Sequence, residues 1–479
     1  MATTTACQTK IEPASEAISH AGASVATSGG PTIVSPVKSG AVTGRYRRRS
    51  IELLGVLAVR GLGAISLFVL YFVAARRMTP DDAGVYFLGL TFSTVLAPVS
   101  LFGLHTVALR EISARSQTDQ GGELRYLIGY MLKRGALLAL VPATALFLGA
   151  GPLAQQVFHE PALERVLKFA AIASYAGAVG AMLSSVLQGL RCFSQSIIVL
   201  TIATPAVTAI MLALTSAADA STAAYLTALA AWVTVAVGSL AVLAQVSFQP
   251  SVVVTVPRLF ESCSSLWLIN VMIMAVNWSG QLIAGMHLES SDVALLAVSQ
   301  RTANLVNFIL IGVNFVVTPR FSAQWAKGDL TGIRSLAIQS TRSMAWIAVP
   351  IATLIALAPH RIMGFFGSEF AQGGLLLLIL AAGQLFNVMT GSVNALLNMC
   401  GFDRELRNIV IVSGSLTVLL SWVLTSVWGA TGCAVAITTA LIVQNALAVR
   451  VVKLRLGFSM FEAILPTARI DRQQALAKP

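Results

Sequence analysis

Residues 52–104, ELLGVLAVRGLGAISLFVLYFVAARRMTPDDAGVYFLGLTFSTVLAPVSLFGL, hold two apolar runs separated by one short polar turn. A helix of about 20 apolar residues crosses the hydrocarbon core of a bilayer, so this stretch reads as two spans joined by a tight reversal at TPDD. The same pattern continues down the chain. Apolar segments lie near 53–73, 84–104, 127–150, 166–189, 195–216, 223–247, 264–286, 293–317, 337–358, 374–399, 408–428 and 430–450. The predicted fold class is an all-α polytopic membrane protein with about twelve transmembrane helices. Pro98, Pro142, Pro205 and Pro350 fall inside these segments, where they are expected to kink helices rather than end them.

Composition agrees. The 479 residues are 56% hydrophobic and 11% charged, with a mean hydropathy of +0.79. A soluble domain carries about 25% charged residues. Soluble enzymes and nucleic-acid binders are excluded on that ground, and the long apolar runs exclude an outer-membrane barrel. The chain shows no Walker A motif, no zinc signature and no nucleophile constellation, so no enzymatic activity and no cofactor are expected, and a coupling ion stays unassigned. The five cysteines are scattered without a CxxC pair, and the histidines form no ligand cluster.

Four segments follow. Residues 1–50 are rich in Ala, Ser, Thr and Gly and lack the apolar core of a signal peptide, so they read as a disordered cytoplasmic tail. The cluster Arg45, Arg47, Arg48 and Arg49 closes it. Residues 51–250 and 251–458 form two six-helix lobes, and 459–479 a cytoplasmic tail. With the N-terminus inside, most of the 32 Lys and Arg fall on cytoplasmic segments, the positive-inside pattern of a cytoplasmic-membrane protein with both termini cytoplasmic.

The two lobes repeat one another. A shift of 210 places Asp82 on Asp292, Arg110 on Arg320 and Glu52 beside Glu261; a shift of 208 places Val141-Pro142 on Val349-Pro350 and Phe158 on Phe366. Repeats with an even number of helices share one orientation, so their pseudo-twofold axis runs along the membrane normal with a cavity between them. That is transporter architecture.

Two ionisable residues lie deep in predicted spans. Arg60 follows Glu52 by eight residues, about 12 Å along a helix, and Arg301 follows Asp292 by nine, about 13 Å. Both are expected near the midplane, where an Arg costs roughly 2.5–3.5 kcal/mol and faces water or a partner. No acid occupies a matching depth in the predicted spans. A structural role, bonding helix carbonyls, stands beside a functional one, a cationic patch whose planar guanidinium suits phosphate. Amides line three helix faces: Gln300, Asn304, Asn307 and Asn314; Gln384, Asn387, Asn394 and Asn398; and Asn270, Asn277 and Gln281 beside Trp278. Asn270 is the shifted counterpart of Arg60. Such stripes either join helices by hydrogen bonds or line a wet lumen, and three stripes beside a deep Arg favour the lumen. The substrate-binding candidates are Arg60, Arg301, Asn270, Asn277, Gln300, Asn304, Asn307, Gln384 and Asn387.

RRMTPDDAGVYFLGL (76–90) and FGLHTVALREIS (102–113) resemble the opening of the Wzx-like polysaccharide-exporting flippases. PRFSAQWAKGDLTGIRSL (319–336), GFFGSEFAQGGLLLLILAAGQLFN (364–387), LLNMCGFDRELRN (396–408) and WGATGCAVAITTAL (428–441) resemble the same family in order and spacing. It belongs to the multidrug/oligosaccharidyl-lipid/polysaccharide (MOP) superfamily. His105 departs from the small or hydroxyl residue usual there. The resemblance implies two MATE-like lobes, alternating access, and transfer of undecaprenyl-diphosphate-linked oligosaccharides across the bacterial inner membrane. It also implies that Arg60 and Arg301 hold the diphosphate. Expected partners are the polyprenyl-diphosphate glycan, the bilayer and polysaccharide polymerase or export machinery, with no nucleic acid. A drug/cation antiporter and a lipid II flippase are the alternatives, with a non-transporting partner of a polysaccharide synthase behind them.

Overall fold

The computed structural model describes residues 59–116, 121–215, 219–246 and 259–460. Glu52 and the tails 1–50 and 461–479 lie outside them. No strand occurs among the described residues. The first half contains α1 (Val59–Arg77), α2 (Pro80–Ser100), α3 (Leu104–Arg115), α4 (Gly121–Pro152), α5 (Leu163–Gly189), α6 (Phe193–Ile197), α7 (Ala203–Leu214) and α8 (Ala220–Gln245). The second contains α9 (Leu259–His287), α10 (Ser290–Ala326), α11 (Leu330–Leu357), α12 (Pro359–Gly364), α13 (Gly374–Met389), α14 (Val393–Met399) and α15 (Asp403–Leu456).

Among the described residues, ten helical segments are long and apolar enough to cross a membrane. The last of them is a hairpin. Arg455 Nη2 lies 2.6 Å from Glu405 Oε1, although a straight helix would separate them by about 75 Å at 1.5 Å per residue. The reversal is at Gly429, whose φ of 59° and ψ of −141° suit only glycine. Two arms from α15, together with the long α9, bring the spans to the expected twelve. Apolar side chains cover the outside: Leu214 is 83% and Leu357 78% exposed, as helices bathed in lipid require.

The polar turns set these boundaries. Thr79 caps α2, accepting from the Asp82 N–H; Pro80 starts the helix, and Asp81 and Asp82 fill its first turn, where the helix dipole favours acids. Asp82 Oδ1 also accepts from the Ala220 N–H at the start of α8. Two expected single spans are broken instead. Positive φ at Phe102 and Gly103 separates α2 from α3, and Gly391 at φ 76° separates α13 from α14. Upstream of Pro205, residues Ile198–Ile202 form a π-helical turn between α6 and α7, because proline lacks the N–H that would continue the ladder.

The repeat is visible in the boundaries. α1 ends at Arg77 and α9 at His287, α2 starts at Pro80 and α10 at Ser290, each pair 210 residues apart. Arg191 and Gly401 share that offset and a positive φ.

The turns fall into two sets. Arg77 donates to the Ala213 and Thr215 carbonyls, Ser290 to Glu160 and Arg76 to the Phe365 carbonyl at 2.7 Å. These turns occupy one end of the bundle, here the distal end. Ser116 donates to the Gly189 carbonyl, and Trp325 packs on Phe402, at the proximal end.

Reciprocal contacts shut the distal end. Phe366, 2% exposed, packs edge-on against Phe68 and Phe72 of α1 at 5.7 and 5.6 Å. Its shifted counterpart Phe158 packs on Phe92 and over Gly285 of α9. Each half thus lays one phenylalanine on the other half's first helix. α2 also follows α9 toward the proximal end, where Trp267 stacks on Phe102 at 4.9 Å and donates to the Val99 carbonyl.

Candidate functional site

Arg301 lies eleven residues into α10 from Ser290, about 16 Å from the distal end, near the middle of a ~30 Å hydrocarbon layer. Aromatic rings from two other helices, α9 and α1, lie against it. Its guanidinium sits over the Trp278 ring of α9 at 4.3 Å and the Tyr71 ring of α1 at 5.0 Å. Cation–π contacts of this kind contribute about 2 kcal/mol or more once water is excluded, which offsets part of the cost of burying the charge. Tyr71 is itself stacked on Phe87 of α2 at 4.4 Å. Gln281 of α9 donates to the Phe87 carbonyl at 3.4 Å. Both halves therefore contribute to one polar centre.

The centre is short of partners. Among the described residues, Arg301 Nη2, Tyr71 Oη, Gln281 Oε1 and Gln300 Oε1 are buried atoms without a hydrogen-bond partner, and Arg301 makes no ion pair. Unpaired buried polar atoms are rare in native structures and call for a reason. A charged guanidinium nitrogen is the costliest of the four to leave unpaired.

Arg60 occupies a different level. It lies seventeen residues from the distal end of α1, about 25 Å, so it sits near the proximal boundary rather than at the midplane. The difference arises because α1 is fixed at its far end, where Arg77 binds the α7 carbonyls. Arg60 is exposed. It shares a helix face with Tyr71, eleven residues or three turns on. The two arginines therefore mark two depths along one side of α1.

The amide stripes of α10 and α13 meet each other. Gln384 donates to Asn304 at 2.9 Å, and Asn387 donates to Asn307 at 3.1 Å and to Gln384 at 3.4 Å. The first two bonds join the two helices and the third lies within α13, while the half-buried Gln300, Asn304 and Asn307 keep part of their surface open. Asn277 is exposed and bonds its own helix at the Ile273 carbonyl. Asn270 is half-buried on α9, eleven residues proximal to Gln281. A cavity of about 490 Å³ at the distal end, lined in part by Asp81, His159, Glu160, His287 and Glu289, contains none of the candidate residues. The one participant sequence reasoning missed is Tyr71, which sits in LFVLYFVAA and reads as core. The repeat carried the signal, since the 210 shift overlays Tyr71 on Gln281.

The family model for polysaccharide biosynthesis proteins matches residues 73–373. Among solved structures, the chain is similar to the lipid II flippase MurJ in an inward closed conformation, with a TM-score of 0.67 and 14% identity over 84% of this chain and 87% of that one. It is similar to an inward-facing multidrug resistance MATE family transporter of the MOP superfamily at 0.66 and 14%, over 85% and 98%. An outward-facing MATE transporter gives 0.57 and 14%, over 85% and 95%. At these identities the likeness establishes the fold. The comparison with curated proteins gives no match.

Proposed function

The chain belongs to the polysaccharide biosynthesis protein family, and from that premise we propose that it flips undecaprenyl-diphosphate-linked oligosaccharides across the bacterial cytoplasmic membrane by alternating access. Family and fold are those of a multi-pass transporter or flippase. The observation that carries the finer reading is Arg301: a mid-depth cation whose buried nitrogen has no partner, and which makes no ion pair, among the described residues. Such a group attracts an anion and repels the cationic substrates of a drug antiporter.

In this reading the distal end faces outward, because basic residues dominate the proximal loops. The distal contacts then describe an inward-facing resting state. The lipid diphosphate first meets Arg60 near the cytoplasmic boundary and moves about 9 Å in depth, along α1, to Arg301. The glycan follows past the amides of α10 and α13, and the lipid tail stays in the bilayer. Release of the distal contacts opens the site outward.

Purified protein in proteoliposomes tests this with three cargoes: a polyprenyl-diphosphate oligosaccharide, lipid II and a cationic dye. The oligosaccharide is expected to flip, Arg301→Ala to abolish flipping, and Arg301→Lys to keep part of it. Movement of dye alone would overturn the reading, and a preference for lipid II would reassign the substrate.

A further inference from the structure

The pseudo-twofold that relates the halves duplicates the contact at their interface, and the two copies are not alike. In one copy Gln281 of α9 faces α2 and donates to the Phe87 carbonyl, with the Thr91 hydroxyl donating to the same oxygen. A shift of 210 maps Gln281 to Tyr71 and Thr91 to Arg301, which is the other copy. There Tyr71 Oη and Arg301 Nη2 make no bond to the corresponding Ala297 carbonyl. Among the described residues, Tyr71, 0% exposed, has a hydroxyl without a partner, and Arg301 Nη2 has none either. The first copy is closed by the protein's own hydrogen bond, whereas the second holds two buried donors and no acceptor bonded to them.

We infer that Tyr71 is the second donor of the anion site, so that a phosphate group is held between the Tyr71 hydroxyl of the first half and the Arg301 guanidinium of the second. The inference rests on the proposed diphosphate substrate and adds to it a specificity-determining residue. The hydroxyl selects for an acceptor that Arg301 alone, as a charge, would not distinguish from other anions. A bound phosphate also joins the halves through both donors, so occupancy is coupled to their relative position.

Tyr71→Phe separates the hydroxyl from the ring, since the ring over Arg301 is retained. Inorganic pyrophosphate is the probe, titrated calorimetrically into the full-length detergent-purified chain. Tyr71→Phe is expected to weaken its binding about tenfold, as loss of a hydrogen bond to a charged group does, and to raise KM for the glycolipid by a similar factor. The same variant is expected to raise the Tm of the unliganded protein, because it removes a buried hydroxyl that bonds nothing. A hydroxyl with a structural role would lower Tm instead, and that result overturns the inference. Unchanged pyrophosphate affinity in Tyr71→Phe with loss in Arg301→Ala overturns it too, while leaving the flippase reading intact. If the wild-type chain binds no pyrophosphate, both fail.

Discussion

Gly84 of α2 lies so close beneath Ser290 of α10 that a Cβ at position 84 would overlap the Ser290 carbonyl oxygen. Backbone cannot yield as a flexible side chain does, so the halves meet here only because position 84 carries no side chain. Gly84→Val is expected to lose the folded chain, seen as aggregation in fluorescence-detected size-exclusion chromatography, while Gly61→Ala, in open space, behaves as wild type. Equal elution profiles would mean the halves are not pinned at this point. Arg301 was legible in the sequence because a charge within an apolar run is conspicuous. Tyr71 was not, since a tyrosine within such a run reads as core until the structure exposes a hydroxyl without a partner. Nor could sequence show that the amide stripes of α10 and α13 bond to one another, because register between two helices is a tertiary fact.

All twelve spans were legible, because apolar length is a local property. Their internal breaks were less so. The second span was read as one run over 84–104, yet α2 begins at Pro80 and ends before Leu101, and hydropathy is blind to the left-handed turn at Phe102 and Gly103. Caps act at the same scale. Asp219 caps α8 by accepting from the Thr222 N–H, and hydrogen bonds from Ser221 and Thr222 hold its carboxyl below the usual value. A carboxyl lowered on folding contributes stability above its unfolded value, near 3.9, and loses it as pH falls through the folded one. Asp219→Ala is therefore expected to cost about 1 kcal/mol at neutral pH, with the deficit fading in strong acid. Thermal unfolding of both proteins in detergent at about pH 7 and pH 3 checks this, and a deficit that grows on acidification would contradict it.

Across the whole molecule, distal closure depends on Phe158 and Phe366 lying on opposite halves. Removing both side chains by Phe158→Ala and Phe366→Ala leaves Arg76 on the Phe365 carbonyl and Glu160 on Ser290 but empties three aromatic contacts. The distal side is then expected to open more often. Val85→Cys, which lines the distal cavity and is 4% exposed, reports it: an impermeant maleimide added outside cells should label it faster in the double variant than in the parent. Equal rates would mean that closure is held elsewhere. The sequence already paired these phenylalanines through the repeat, but their crossing to the opposite half follows from the packing of helices distant in the chain.

The offset of 210 that runs from Tyr71 and Gln281 to Arg110 and Arg320 has a consequence for how such a chain can change over generations. One residue inserted within a helix turns everything beyond it by about 100° and lifts it by about 1.5 Å. An insertion between Tyr71 and the end of α1 would carry Arg76 off the Phe365 carbonyl, and one between Ser290 and Arg301 would swing the guanidinium away from both rings. Along this stretch the two copies differ in letters, Gln281 for Tyr71 and Thr91 for Arg301, but not in count. In these two helix pairs divergence is written in substitutions, and the change of length falls farther on, between Arg110 and Val141, where the offset passes from 210 to 208.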